Sequence, residues 1–284
     1  MVITFECTND TAIRVGAYAD MRAASADLPA GAYTTFRTYQ GNRVLRLGQH
    51  ARRLRESLAA LMGGAPLDPD ALTDARARRG VAVALREAGF AESRLRLTLA
   101  PPETAGAPAR FFVSIEPFTP YPAQWYEQGV ACVTVALRRD NPHAKSTSFI
   151  ATAGQAYQAL PSGVHEGLMV ADDGAVLEGL SSNFFAVLDG VLRTEQARAL
   201  VGVTQSIVLE LAGRVRPAPA VRTSAIHISD LPRVSECFIT SVSREVLPVV
   251  RIDDQLVGDG RPGALTKALL AAYRELIERE AEAL

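Results

Sequence analysis

The sequence predicts a mixed α/β first part followed by a strand-rich α+β second part. Three observations carry this reading. Helix-period and strand-period runs alternate up to about residue 117. After residue 130, short apolar runs joined by Asp-Gly turns dominate. Between them stands FTPYPAQW (Phe118–Trp125), with three aromatics and two prolines. The boundary is therefore placed near Pro120–Ala123, giving an N-terminal domain over 1–120 and a C-terminal domain over 121–284.

Within the first part, Ala32–Val44 reads as two strands. AYTTFRTY is rich in Thr, Tyr and Phe, and Gln40-Gly41-Asn42 supplies the turn. From Leu47 to Met62, Leu47, His50, Leu54, Leu58 and Leu61 recur at three and four, the period of a helix, and Gly63-Gly64 stops it. A second helix is expected from Pro69 or Asp70 to Ala88, ending at Gly89. Leu95, Leu97 and Leu99 alternate with Arg96 and Thr98 as in a half-buried strand, and Ala107–Ile115 is its partner.

In the second part, Val130–Leu137 is a strand and Phe149–Leu160 a helix. Hairpins are expected at Gly167–Glu178, turning on Asp172-Asp173-Gly174, and at Asn183–Thr194, turning on Asp189-Gly190. Thr204–Ala212 is helical, with Thr204 as N-cap and Gly213 as stop. Glu236–Thr240 and Leu247–Ile252 are strands, and Gly263 to the end is an amphipathic helix.

Composition narrows the function. With 30 basic and 31 acidic residues in 284, the net charge of −1 gives no electrostatic case for nucleic acid or an acidic membrane. No apolar stretch reaches the length of a membrane span. Cys7, Cys132 and Cys237 are far apart and odd in number, so neither a disulfide framework nor a zinc site is expected. No signal peptide is read at the N-terminus. A reducing cytoplasm fits these features.

One bias is informative. Of the 30 basic residues only Lys145 and Lys267 are lysine; the remaining 28 are arginine. A guanidinium stays protonated, whereas an amine can lose its proton and act as a nucleophile. Lys267 sits among leucines of the terminal helix and reads as a solvated face. Lys145 lies in RRDNPHAKSTSF, a loop between a strand and a helix, where reactive groups are commonly held. Glu178 ends a strand and is followed by small polar residues in LEGLSSNFF. Gly202 precedes a helix whose first N–H groups, near Val203 and Thr204, are open to an anion. Arg53 lies three residues after His50 on one helix face. Taken singly, each has a plain alternative as a surface or capping residue.

Taken in order, these segments are more specific. GAYTTFRTYQGNRVLRLGQHARRLRESL, the lysine in NPHAKSTSF, EGLMVADDGAVLEGLSSNFFAVLDGVLRT, ALVGVTQSIVLELA and SECFITSVSREVLPVVRID resemble the class IV aminotransferase family. This is the fold-type-IV group of pyridoxal-phosphate enzymes, which includes branched-chain and D-amino-acid aminotransferases and 4-amino-4-deoxychorismate lyase. The resemblance runs from about residue 30 to the end. It implies two domains, a small N-terminal α/β domain and a larger strand-rich pseudo-barrel, with the cofactor between them, and a homodimer.

The resemblance also implies roles. Lys145 would form the Schiff base with pyridoxal 5'-phosphate and move the substrate's α-proton. Glu178 would face the pyridine nitrogen, and Leu200 would pack on the ring. Arg53, the backbone at Val203 and Thr204, and the turn Ser241, Val242, Ser243 would hold the phosphate. Tyr33 and Arg37 would line the substrate side. Several positions depart from the family pattern. Gln205 replaces the usual arginine after Thr204, and Val242 stands where threonine is common. Phe149 and Ile150 occupy the place of a tyrosine near the cofactor, and ADLPAG replaces an acidic entry before the first strand pair. Leu99 stands where D-amino-acid enzymes carry arginine. The expected activity is transfer of an amino group between an amino acid (branched-chain, hydrophobic or glutamate) and a 2-oxo acid. The alternatives are the lyase, towards which AYTTFR leans, and a degenerate relative that only binds a ligand or partner.

Overall fold

The computed structural model describes residues 1–8, 11–64, 67, 71–104 and 107–284. The chain divides into two compact units. One comprises Met1–Pro120, Ala144–Ala151 and Glu280–Leu284; the other comprises Tyr121–His143 and Thr152–Arg279. Two short pieces, the lysine segment and the C-terminus, thus group with the first unit although they lie far along the sequence.

The first unit contains β1 (Val2–Cys7), β2 (Ala12–Tyr18), α1 (Met21–Asp27), β3 (Ala32–Tyr39), β4 (Arg43–Val44), α2 (Leu47–Leu61), α3 (Asp74–Ala88), β5 (Ser93–Ala100) and β6 (Arg110–Pro117). The second contains α4 (Ala123–Gln128), β7 (Val130–Val135), most of α5 (Ser148–Gln158), β8 (Glu166–Val170), β9 (Ala175–Gly179), β10 (Asn183–Leu188), β11 (Val191–Thr194), α6 (Val203–Ala212), β12 (Ala220–Arg222), β13 (Ile226–His227), β14 (Val234–Ser241), β15 (Glu245–Ile252), β16 (Gln255–Leu256) and α7 (Ala264–Glu280). The last strand, β17 (Glu282–Ala283), returns to the first unit and pairs with β4.

The first unit's sheet runs β17-β4-β3-β5-β6-β1-β2 and is antiparallel throughout. The alternation in β5 is realised: Leu95, Leu97 and Leu99 are fully buried. Helix α2 packs on β3 and β5 and buries Leu54 and Leu58. Each such leucine contributes about 1.5–3 kcal/mol of hydrophobic stabilisation. Helix α3 packs on β6 and β1. It starts at Asp74, because the Thr73 hydroxyl accepts from the Arg76 N–H and caps it. The earlier start expected at residues 69 or 70 lies outside the described residues. At the C-terminus the expected helix stops at Glu280. Arg43 donates from Nε and Nη2 to the Ala281 carbonyl, at 3.0 and 2.8 Å, and so fixes the chain for extended pairing.

The second unit's sheet runs β12-β11-β10-β14-β15-β7-β8-β9-β13. Strand β9 also pairs with β10, at Asn183 and Glu178. That contact closes a circuit of six strands, β10-β14-β15-β7-β8-β9, giving a barrel-like sheet without edges in the circuit. The side chains of one cluster, including Val130, Leu168, Phe184, Ile239 and Leu247, are buried together in this unit's core. Ala123–Trp125, expected as linker, instead open the short helix α4. The β1–β2 hairpin, α1, and the short strands β12, β13 and β16 carry no clear sequence signal.

Arg76 is the main polar tie inside the first unit. It is buried; Nη1 donates to the Ala71 carbonyl (2.7 Å) and Nη2 to the Cys7 carbonyl (2.8 Å), joining α3 to the end of β1. Arg76→Met removes the donors and leaves two carbonyls without them. The variant is expected to unfold at lower denaturant, with a loss of about 2–4 kcal/mol measured by urea titration. A loss below about 0.5 kcal/mol would contradict the assignment.

Candidate active site

In the first unit, Lys145 is not on a loose loop. Its backbone N–H donates to Ser57 Oγ of α2 (3.1 Å), and its carbonyl accepts from the Tyr33 N–H at the start of β3 (2.8 Å). On either side, Ser146 bridges to Ala32, and the Thr147 N–H donates to the Gly31 carbonyl (2.8 Å). The lysine segment therefore lies as a short extension of the sheet. The side chain runs to the Tyr33 ring, with Nζ 4.8 Å from its centroid.

The same corner holds a polar relay. Thr34 Oγ1 accepts from Arg53 Nη2 (2.7 Å) and lies 2.8 Å from His50 Nδ1. His50 is buried among positive charges. Burial first, then Arg53 and Lys145, push its pKa well below the usual 6.5. It is a neutral imidazole at physiological pH, and Nδ1 can accept the Thr34 proton. The shared helix face of His50 and Arg53, read from their spacing, converges on one hydroxyl.

Of the two residues expected on the substrate side, the structure brings one to the lysine. Tyr33 is there. Arg37 lies four residues on, about 13 Å along the strand, with its guanidinium 4.4 Å from the Tyr39 ring and 4.6 Å from the Phe118 ring.

In the second unit, Glu178 ends β9 and is 3 % exposed. Oε1 accepts from Arg139 Nε (2.9 Å) and from the Leu200 N–H (3.2 Å). Arg139 is itself buried, so this is an ion pair taken out of water, stable only when held by further hydrogen bonds. The Leu200 carbonyl accepts from Asn183 Nδ2 (2.6 Å), which fixes the Leu200 peptide between β9 and β10. Arg139 carries no distinguishing sequence signal; it is one of two adjacent arginines before the lysine loop.

Thr204 is not the N-cap. Helix α6 starts at Val203, with Gly202 as cap. The Gln205 amide oxygen accepts from the Gly202 N–H (3.2 Å), and its nitrogen donates to Thr194 Oγ1 (2.9 Å) and the Glu195 carbonyl (3.0 Å). Gln205, the departure from the family pattern, is thus a buried cap. Gly202 is needed here: a Cβ would stand 2.1 Å from Asn183 Oδ1. The cap arrangement leaves Thr204 Oγ1 buried with no hydrogen-bond partner, beside the open N–H groups of the helix start. Thr240, just before Ser241, Val242 and Ser243, has a second such hydroxyl.

These are the groups an anionic aldehyde cofactor requires. Its phosphate needs donors; unpartnered buried hydroxyls at 204 and 240 are donors awaiting an acceptor. Its ring nitrogen needs a fixed carboxylate, and its aldehyde an amine. Glu178 and Lys145 are of the right chemical type, and each is immobilised by the bonds above.

The profile of class IV aminotransferases matches residues 31–252. The chain belongs to the class IV aminotransferase family. It is an enzyme of that family's pyridoxal-phosphate chemistry. A Methanocaldococcus jannaschii protein provisionally assigned as a branched-chain-amino-acid aminotransferase is 29% identical to this member over 261 residues, 87% of this chain and 86% of that one. The branched-chain-amino-acid aminotransferase of Escherichia coli K12 is 31% identical over 170 residues, 56% of this chain and 54% of its own. In fold, this class IV chain matches the crystal structure of a branched-chain amino acid aminotransferase from Escherichia coli. The TM-score is 0.78, at 23% identity, over 99% of this chain and 95% of the other. A thermophile's branched-chain amino acid aminotransferase, solved with pyridoxamine 5'-phosphate, matches with a TM-score of 0.80 at 20% identity, over 99% of this chain and 98% of its own. Among the described residues no helix is long and apolar enough to cross a membrane.

The depressed pKa of His50 gives a signed pH dependence. Below about pH 6.5 the unfolded imidazole takes up a proton that folded His50 refuses, so stability falls with pH until folded His50 itself titrates. His50→Asn removes that contribution. Urea titrations at pH 7.5 and 5.5 should show the native protein losing about 1 kcal/mol more than the variant over this interval. Parallel losses would contradict a neutral buried His50.

Proposed function

We propose that the chain is an aminotransferase that moves an amino group from a branched-chain or other hydrophobic amino acid, or from glutamate, to a 2-oxo acid. The observation that carries this reading is Glu178, a buried carboxylate fixed by Arg139 and the Leu200 amide. The names of the relatives support the substrate class. Bound pyridoxal 5'-phosphate supplies an aldehyde that receives the amino group and a conjugated ring that stores the electron pair left at the substrate Cα.

The chain's own residues do the rest. Lys145 Nζ provides the amine that moves the proton at Cα, and its pinned backbone limits the positions Nζ can reach. Glu178 holds the ring nitrogen's proton by its charge, while Arg139 offsets the cost of burying that charge and fixes the carboxylate's orientation. Arg53, the Val203 and Thr204 N–H groups, and the Ser241-Val242-Ser243 turn bind the phosphate. Leu200 packs on the ring. Tyr33 lines the substrate side beside Lys145. Arg37 acts at the outer margin of that side, consistent with its stacking on Tyr39 and Phe118. We take the functional domains as 1–120 and 121–284, a division supported by the unit boundary after Pro120. We propose a cytoplasmic homodimer, supported by the family resemblance and by three buried free cysteines.

The test is transamination of leucine, valine and glutamate with 2-oxo acid acceptors. Lys145→Ala should lower turnover at least about 10³-fold, and Glu178→Gln about 10²-fold in kcat with little change in KM. Arg53→Ala should weaken pyridoxal phosphate binding about tenfold or more, the loss of a charge-assisted contact. Acceptor-independent release of pyruvate from aminodeoxychorismate, without transamination, would replace this reading with the lyase.

A further inference from the structure

A second group of buried polar residues in the second unit has no role in the chemistry above. Glu166, at the start of β8, is fully buried. Its Oε1 accepts from the Tyr157 hydroxyl of α5 (2.5 Å) and from the Gly167 N–H (3.1 Å). Its Oε2 accepts from Ser182 Oγ (2.9 Å) and Ser181 Oγ (3.3 Å), with Arg244 Nη1 at 3.5 Å. Arg244 Nη1 also donates to Ser181 Oγ (2.9 Å), and Nη2 to the Tyr157 oxygen (3.3 Å). Arg244 directly follows Ser241, Val242 and Ser243. Ser181 and Ser182 directly follow the Glu178 strand. One ion pair therefore joins the two turns that flank the site residues of this unit.

The turn is held at its other end too. Glu245, the next residue, sits in left-handed backbone with φ 56°. Few non-glycine side chains adopt that conformation without outside support. Support comes from Arg274 of α7, whose Nε donates to Glu245 Oε2 (2.8 Å). Adjacent residues of opposite charge thus anchor the turn in opposite directions, Arg244 to the Glu166 cluster and Glu245 to α7. From Ser182 the chain continues to Asn183, which bonds the Leu200 carbonyl, and the same residue's N–H reaches Glu178.

We infer that Arg244, Glu166 and Tyr157 are positioning residues that set the Ser241-Val242-Ser243 turn to receive the cofactor's phosphate. The inference rests on the phosphate role proposed for that turn. It explains how a turn with Val242 in place of a hydroxyl residue serves that role: geometry fixed from outside replaces one side-chain donor. It also takes Arg244 out of substrate recognition, because its guanidinium is committed to Glu166, Tyr157 and Ser181.

The experiment measures pyridoxal 5'-phosphate affinity by fluorescence quenching, alongside thermal melting, in four proteins: the native chain, Arg244→Met, Arg244→Met with Glu166→Gln, and Tyr157→Phe. Arg244→Met leaves Glu166 buried without its counter-charge, so it should melt lower and bind about tenfold more weakly. Neutralising Glu166 as well should recover much of the melting temperature but not the affinity, which a merely structural role would recover too. Tyr157→Phe removes one hydroxyl and should bind about threefold more weakly at near-native melting temperature. Affinity within about twofold of native in every folded variant would overturn the inference. A native protein that does not bind pyridoxal phosphate would overturn the phosphate reading and the inference with it, and so is distinguishable from failure of the inference alone.

Discussion

Burying a carboxylate beside a guanidinium is expensive, and the Glu178–Arg139 pair sets the terms for the second unit. Desolvating both charges costs several kcal/mol before any attraction is counted. The structure offsets this with a third partner, the Leu200 N–H, and then fixes Leu200 from its other side through Asn183. Glu178 and Asn183 are also the residues across which β9 meets β10 and closes the strand circuit. The closure of the sheet and the orientation of the carboxylate are therefore one arrangement. Loosening either disturbs the other, which is why small residues, Gly179 and Ser181-Ser182, occupy the space between them.

The first unit solves a different problem. An amine that must both bond and move a proton needs a free side chain on a fixed backbone. Lys145 has that combination: Ser57 and Tyr33 hold its peptide groups, and its side chain lies along an aromatic face. The segment reaches this position by joining the sheet beside β3, despite more than a hundred intervening residues. In the same corner, neutral His50 receives Thr34 without adding a third positive charge to Arg53 and Lys145. A protonated imidazole there would oppose both.

Much of this is legible in the sequence, for identifiable reasons. Period-2 and period-3.6 patterns mark β5, α2 and both hairpins, because burial on one face enforces them. The scarcity of lysine isolates Lys145, and motif order locates Glu178. Long-range partnership is what escapes. Nothing local marks Arg139 as the counter-charge of Glu178, or Arg244 as that of Glu166. Those pairs are made by topology, not by spacing. Thr204 falls one cap position from its expected place because a threonine before a helix ordinarily caps it, whereas here a glycine does so with a glutamine returning from within the helix. The C-terminal residues read as helix by composition, yet Arg43 draws them into β17.

The central claim is that Lys145 is the amine that carries the cofactor. The most direct measurement is the visible absorption spectrum of the purified protein after incubation with pyridoxal 5'-phosphate and dialysis. The account predicts a yellow band that survives dialysis in the native protein and is absent in Lys145→Ala of native far-ultraviolet circular dichroism. A band retained equally by that variant, or by neither protein, would contradict it.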